Sequence, residues 1–206
     1  MYDTWVAFVA ASLLILIVPG PTLLVVVSYA LRHGRRVIWP VAAAVSAGHA
    51  LAIGLAVWGL DALSSLSADF PSGAQLAASA YLAYLGIRQF RSRPTPGLGT
   101  LVPACVPGRD IFMHTATATA LNPCSIGFFI AVTPQLAQAS AAPTERLILF
   151  GVTFVILAAL NTTAYCLLAD RMQMRLARPE SQVYLSRICG TALIGLALWS
   201  IHAAAG

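Results

Sequence analysis

Two short stretches of this chain have residue types and spacing that could do chemistry. Val18-Pro19-Gly20-Pro21-Thr22 and Asn122-Pro123-Cys124 each place helix breakers in the middle of a long apolar run. A proline removes one backbone N–H and clashes with the carbonyl one turn back. Two prolines flanking a glycine therefore argue against a continuous helix. A second half-helix is expected to begin near Pro21, and another at Pro123 with Asn122 as its N-cap. The first N–H groups of such half-helices have no intrahelical partner. At membrane depth they must face protein, water or a ligand. Two helix starts meeting there from opposite sides would form a positive site suited to a carboxylate or another anion. The candidate binding residues are thus Pro19, Gly20, Pro21, Thr22, Asn122, Pro123 and Cys124. Plain proline kinks, tolerated by neighbouring helices, are the alternative; they fit one isolated proline better than two matched breaks.

The other candidates are polar residues inside apolar runs. His49 is the one ionisable residue deep within such a run. An unperturbed histidine titrates near neutral pH, so His49 is the candidate proton carrier or substrate contact. A neutral imidazole bonded between helices is an equal alternative. Asn161 joins the candidate binding set, and the neighbouring Thr162 and Thr163 are expected to bond to their own helix backbone. His114 and His202 fall near span ends, where interfacial placement is expected. Cys105, Cys124, Cys166 and Cys189 form no Cys-x-x-Cys pair, and neither a metal site nor a disulfide is expected. No cofactor is implied.

The elements that must position these residues follow from composition. Hydrophobic residues make up 59% of the 206 and charged residues 9%, against roughly 25% charged in a soluble domain. Such a chain belongs in a lipid bilayer. Apolar runs of about the 20 residues needed to cross one lie near 5–29, 37–60, 111–133, 147–168 and 188–205, with a shorter one near 74–90 that carries Arg88 at its end. Within lipid each must be a helix, the one single-segment structure that satisfies its own backbone. The first run carries Asp3 instead of a basic leader and is broken in its middle, so it is read as a retained helix and not a secretory signal. The chain has no lysine, and eleven of its arginines fall in the segments after the first, third and fifth spans. Basic loops stay in the cytoplasm, which places both termini outside. The net charge of +5 is thereby assigned to topology and anionic lipid, and no nucleic-acid partner is expected.

The Pro- and Gly-rich stretch at about 94–108 reads as a linker between repeat one (about 1–93) and repeat two (about 109–206) of a single transporter domain spanning 1–206. Three spans per half make the halves enter from opposite sides, as an inverted repeat requires. Both leading spans carry the breakers, and both closing spans are rich in small residues, such as Ala77, Ala78 and Gly86 or Gly190, Ala192 and Gly195. The expected fold is therefore all-α and polytopic: six transmembrane helices in two inverted three-helix repeats, with helices one and four broken.

Several runs also resemble the LysE/RhtB family of amino-acid exporters. They are Val18 to Val26 with Leu31-Arg32-His33-Gly34-Arg35-Arg36, Tyr81 to Gly86, Ala120 to Phe129 with Thr133-Pro134-Gln135, and Gly190 to Leu198. Together they cover nearly the whole chain in order. The resemblance departs at Cys124, where the family often has lysine, and at His49, where it often has an acidic residue. It implies a non-enzymatic secondary transporter of the bacterial cytoplasmic membrane. Its substrate would be an amino acid or related metabolite, exported at the expense of a proton or other coupling ion. The lipid bilayer is its other partner, and a homo-oligomer is compatible with it. The competing classes are a membrane-embedded enzyme, for which the chain lacks motifs such as His-Glu-x-x-His, and a non-transporting membrane subunit, which would not need broken helices.

Overall fold

The computed structural model describes residues 2–17, 21–66, 70–91, 107–138, 143–169 and 179–205. Among these, every extended element is helical. The order is α1 (Tyr2–Ile17), α2 (Pro21–His33), a 3₁₀ turn (Gly34–Val37), α3 (Ile38–Leu66), α4 (Phe70–Phe90), α5 (Gly108–Ala120), α6 (Pro123–Gln138), α7 (Pro143–Leu167) and α8 (Pro179–Ala205). Four of the eight α-helices begin on a proline: Pro21, Pro123, Pro143 and Pro179. The first helical position needs no N–H and suits the fixed proline φ. Gly34, at φ 65°, makes the turn from α2 towards α3 in a left-handed conformation that a side chain would disfavour.

Two helical stretches, Gly34–Ala62 and Thr144–Leu167, are long and apolar enough to cross a membrane unaided. A third span forms if α5 and the first part of α6 are taken together, bent by 47° at Leu121–Asn122. The surface agrees with a lipid setting. Leu14, Leu51, Leu55, Ile148, Ile156 and Leu160 are among many large apolar side chains left exposed. Trp39 and Trp58, the two most exposed tryptophans of α3, lie nineteen residues apart. That is about 28 Å of helix, close to the roughly 30 Å hydrocarbon thickness, so both rings fall at interfacial depth.

Helices extend beyond the apolar runs read from sequence. α4 starts at Phe70 instead of Ala74, α7 at Pro143 instead of Leu147, and α8 at Pro179 instead of Ile188. Counting apolar residues misses polar first turns, where Glu145 and Glu180 favour a helix start through the helix dipole. Most of the linker, and Cys105 within it, lies outside the described residues; α5 begins where the linker was expected to end.

The two halves of the α5–α6 span pack on different neighbours. α5 lies against α3, and α6 lies mainly against α4, with α8 closing on α4 from another side. Glycines permit the closest approaches. A Cβ on Gly48 would stand 2.7 Å from the Ala116 carbonyl of α5. A Cβ on Gly190 would stand 2.6 Å from the Gly86 carbonyl and 2.7 Å from the Phe90 nitrogen of α4. Near the other end of the same pair, Gln75 donates to the Ser200 carbonyl, the Ser79 and Ser200 hydroxyls meet at 2.9 Å, and Ser200 donates to the Ala131 carbonyl of α6. Small residues and buried hydroxyls are how helices associate when lipid removes the hydrophobic drive between them.

The Gly190→Ala variant must therefore separate α4 from α8 and is expected to lose about 1–3 kcal/mol. Gly54→Ala, whose new methyl meets nothing within 4 Å, should lose none. Unfolding in mixed detergent micelles measures both; equal stability of the two variants would contradict the contact.

Candidate functional site

The two breaks lie side by side. α1 ends at Ile17 and α2 begins at Pro21; α5 ends at Ala120 and α6 begins at Pro123. Asn122 bridges the breaks. Its Oδ1 accepts from the Cys124 N–H at 3.1 Å, and its Nδ2 donates to Thr22 Oγ1 at 3.3 Å. Its carbonyl accepts the first helical bond of α6, from Ile126 N at 3.1 Å. Asn122 is thus the N-cap and Pro123 the first helical residue, the roles that their types favour. One N–H of the α6 start is accordingly held by the chain itself and is not free for an anion.

The carbonyls at the end of α1 are satisfied from α7. Asn161 Nδ2 donates to the Leu16 carbonyl at 3.0 Å, and Tyr165 Oη donates to the Ile17 carbonyl at 3.3 Å. A helix end at this depth needs such partners, because an unsatisfied carbonyl away from water costs several kcal/mol or more on the order of a lost hydrogen bond.

Between the breaks is a cavity of about 50 Å³. Its wall comprises Ile15 and Leu16 of α1, Thr22, Leu23 and Val26 of α2, Val45 and His49 of α3, Asn122 and Ser125 at the α6 start, and Phe154, Asn161 and Thr162 of α7. His49 is buried, its ring edge-on to Phe154 with centroids 5.0 Å apart. Among the described residues its Nδ1 finds no hydrogen-bond partner, an uncommon state for a buried polar atom. Phe154 of its wall belongs to a buried cluster of rings with Phe8, Phe128, Phe129 and Phe150, which meet edge-to-face at 4.7 Å in the Phe8–Phe150 and Phe129–Phe154 pairs. Val26 of the wall packs in the same core as Val41, Tyr29 and Ile111, where the Tyr29 hydroxyl and His114 Nδ1 share a 2.9 Å hydrogen bond between α2 and α5.

Thr22, His49, Asn122 and Asn161 are thus brought together. Pro123 is exposed, and Cys124 packs against the Ala78, Leu82 and Leu193 cluster, away from this cavity. Pro19 and Gly20 lie outside the described residues, and Pro21 is described only as the start of α2. Thr163 bonds its own helix backbone at Ala159, as expected. Thr162 instead turns to the cavity, and Ser125 joins it. Sequence reading passed over Ser125; its signal is its position, one helical turn beyond the cap Asn122. His114 and His202 are exposed. Among the described residues no three His, Cys, Asp or Glu side chains come together to hold a metal ion.

An apolar-surfaced helical protein with a small cavity, half of whose wall residues are polar, between two helix breaks has the make-up of a membrane carrier of small molecules. The family is shown by comparison: residues 13–203 match the LysE type translocators, and the chain belongs to that family. It is similar to the homoserine/homoserine lactone efflux proteins of Salmonella typhi and Salmonella typhimurium, each 28% identical over 97% of both chains. It is also 24% identical, over 93% of both chains, to an uncharacterized membrane protein of Vibrio cholerae serotype O1. No solved structure matches it.

The Asn122→Ala variant removes both the cap and the bridge to Thr22. It is expected to lose about 1–2 kcal/mol of stability, whereas Thr22→Val leaves the cap bond intact and should lose less. Thermal unfolding of the two purified variants checks the order; a larger loss for Thr22→Val would show that the cap is not what holds the break.

Proposed function

We propose that this protein is a secondary active exporter of small amino acids or their close derivatives, homoserine and its lactone among them. In this reading α1–α2 and α5–α6 are each one broken crossing, giving six spans in two inverted repeats. The exporter lies in the bacterial cytoplasmic membrane, with both termini outside, and works by alternating access. The observation that carries the reading is the convergence of Thr22, His49, Asn122, Ser125, Asn161 and Thr162 on one cavity between two helix breaks. Polar residues buried in a spanning bundle mark pathways, and paired broken helices are how many transporters build mid-membrane sites.

The breaks supply both signs of partial charge. In this reading each break brings a helix C-terminus and a helix N-terminus close to the cavity, and so partial charges of both signs. That arrangement suits the ammonium and carboxylate of one amino acid without a charged side chain. In this reading the phenylalanine cluster and the Tyr29–Val26 packing are the two barriers. Alternating access requires each barrier to open in turn.

His49 is the one ionisable side chain on the cavity wall and is the proposed proton carrier. A proton taken up from outside and released inside would drive substrate outward. Export of radiolabelled homoserine from loaded vesicles is expected, rising as the external pH is lowered. In His49→Gln that pH dependence should vanish. Undiminished pH dependence in a folded His49→Gln protein removes the proton role, and absence of any amino-acid or lactone efflux by the wild type removes the exporter reading.

A further inference from the structure

Two fully buried hydroxyls beyond the cavity wall find no partner. Ser12 on α1 and Thr115 on α5 are both 0% exposed, and among the described residues neither side-chain oxygen makes a hydrogen bond. Ser79 and Thr119, equally buried, bond back to their own helices, at the Gln75 and Thr115 carbonyls. That bond is open to any helical serine or threonine, and Ser12 and Thr115 do not make it. An unpartnered buried polar atom is uncommon, and alanine or valine in these places would leave none. His49 Nδ1 is another such atom.

These three residues follow one another along the bundle. α1 runs beside α7 in the same sense, for Trp5 meets Thr153 and Leu16 meets Asn161. α3 runs against α7, for His49 meets Phe154 and Ile53 packs on Gly151. α1 therefore reaches the cavity from the end where α3 finishes. α5 reaches it from the end where α3 starts, because His114 bonds Tyr29 just before the turn into α3. Residues four apart share a helix face. Ser12 thus has Phe8 of the ring cluster one turn before it and Leu16 of the cavity wall one turn after. Thr115 has Ile111, which packs in the core with Tyr29, one turn before it. One turn after it is Thr119, which packs on Gly48 beside His49. Each hydroxyl stands where the cavity gives way to one of the two barriers. We propose that Ser12 and Thr115 line the translocation path on either side of the cavity, each taking a polar group of the substrate as its barrier opens. The inference rests on the reading of the cavity as the export site. A hydroxyl both donates and accepts, so the same residue serves an ammonium or a carboxylate in turn.

Thiol labelling of the full-length protein in lipid vesicles tests the path. The variants are Ser12→Cys and Thr115→Cys, and the probe is a membrane-impermeant methanethiosulfonate of amino-acid size. Mass spectrometry locates the label, and Ser79→Cys, in the α4–α8 seam, is the buried reference. Ser12→Cys is expected to react from the side where α1 begins, and Thr115→Cys from the side where α5 begins. Both should react about tenfold faster than the reference, which is reached only through local unfolding, and homoserine should slow both. Rates no faster than the reference, or reaction of both from the same side, overturn the proposal. Homoserine efflux by the wild type measures the export reading separately. Labelling from opposite sides without efflux faults that reading and leaves the path standing; efflux with labelling that homoserine does not slow overturns the path. Ser12→Ala and Thr115→Val remove the hydroxyls alone and serve where a cysteine variant does not fold. Each should raise the homoserine concentration for half-maximal efflux by about fivefold, the share of one hydrogen bond; unchanged efflux in both overturns the proposal.

Discussion

Everything near the centre of this protein depends on satisfying the backbone of two interrupted helices away from water. A helix end carries four N–H or four C=O groups without intrahelical partners, and lipid offers none. The side chains that meet this need are few. Asn122 caps α6 and reaches Thr22, while Asn161 and Tyr165 take the last carbonyls of α1. Asn122 thereby ties the second break to the first, and α7 ties the first break to the bundle. The polar groups lining the cavity are in part those that the breaks require, so the site and the solution to the backbone problem are one construction. His49 differs from them. It satisfies no helix end, and its Nδ1 has no partner among the described residues, which is why it stands out as the group with another task.

Packing assigns the two sides of the α5–α6 break to different neighbours. α5 is held to α3 where Gly48 admits the Ala116 backbone; α6 is held to α4 and α8 by the Ala131–Ser200–Ser79 chain of hydroxyls. A hinge is most useful where its two arms belong to separately packed groups. The bend at Leu121–Asn122 comes near to this, since α5 packs on α3 and α6 more on α4 than on α3, and its cap bond forms within the bend. The first break lacks that division to the same degree, since α1 and α2 both lie against α7.

Much of this was legible in the sequence because proline and asparagine act locally. Pro21 and Pro123 mark helix starts, and Asn122 marks a cap, for reasons internal to a few residues. Asn161 was legible as a polar residue with a purpose, though not as the partner of Leu16, since that contact joins residues 145 positions apart. Thr162 and Thr163 could not be told apart, because periodicity carries no signal when every face of a helix is apolar. Cys124 shows the same limit: it follows the cap directly, yet the turn of α6 carries it to the α4–α8 side. Helix starts at Phe70, Pro143 and Pro179 were missed for a different reason. Hydrophobic runs report the lipid-embedded part of a helix, and these helices begin before it.

The cavity wall also constrains what can be carried. His49 is its one ionisable member, and no arginine or carboxylate joins it. A neutral wall binds a zwitterion through helix ends, whose partial charges come in both signs and cancel overall. A substrate with an additional charged side chain would leave that charge buried without a counter-ion, which is far more costly than burying a paired one. On this reading discrimination comes from what the wall lacks as much as from what it offers. Cys124, turned to the α4–α8 side, takes no part in that wall, and His49 is the one group on it whose charge can change.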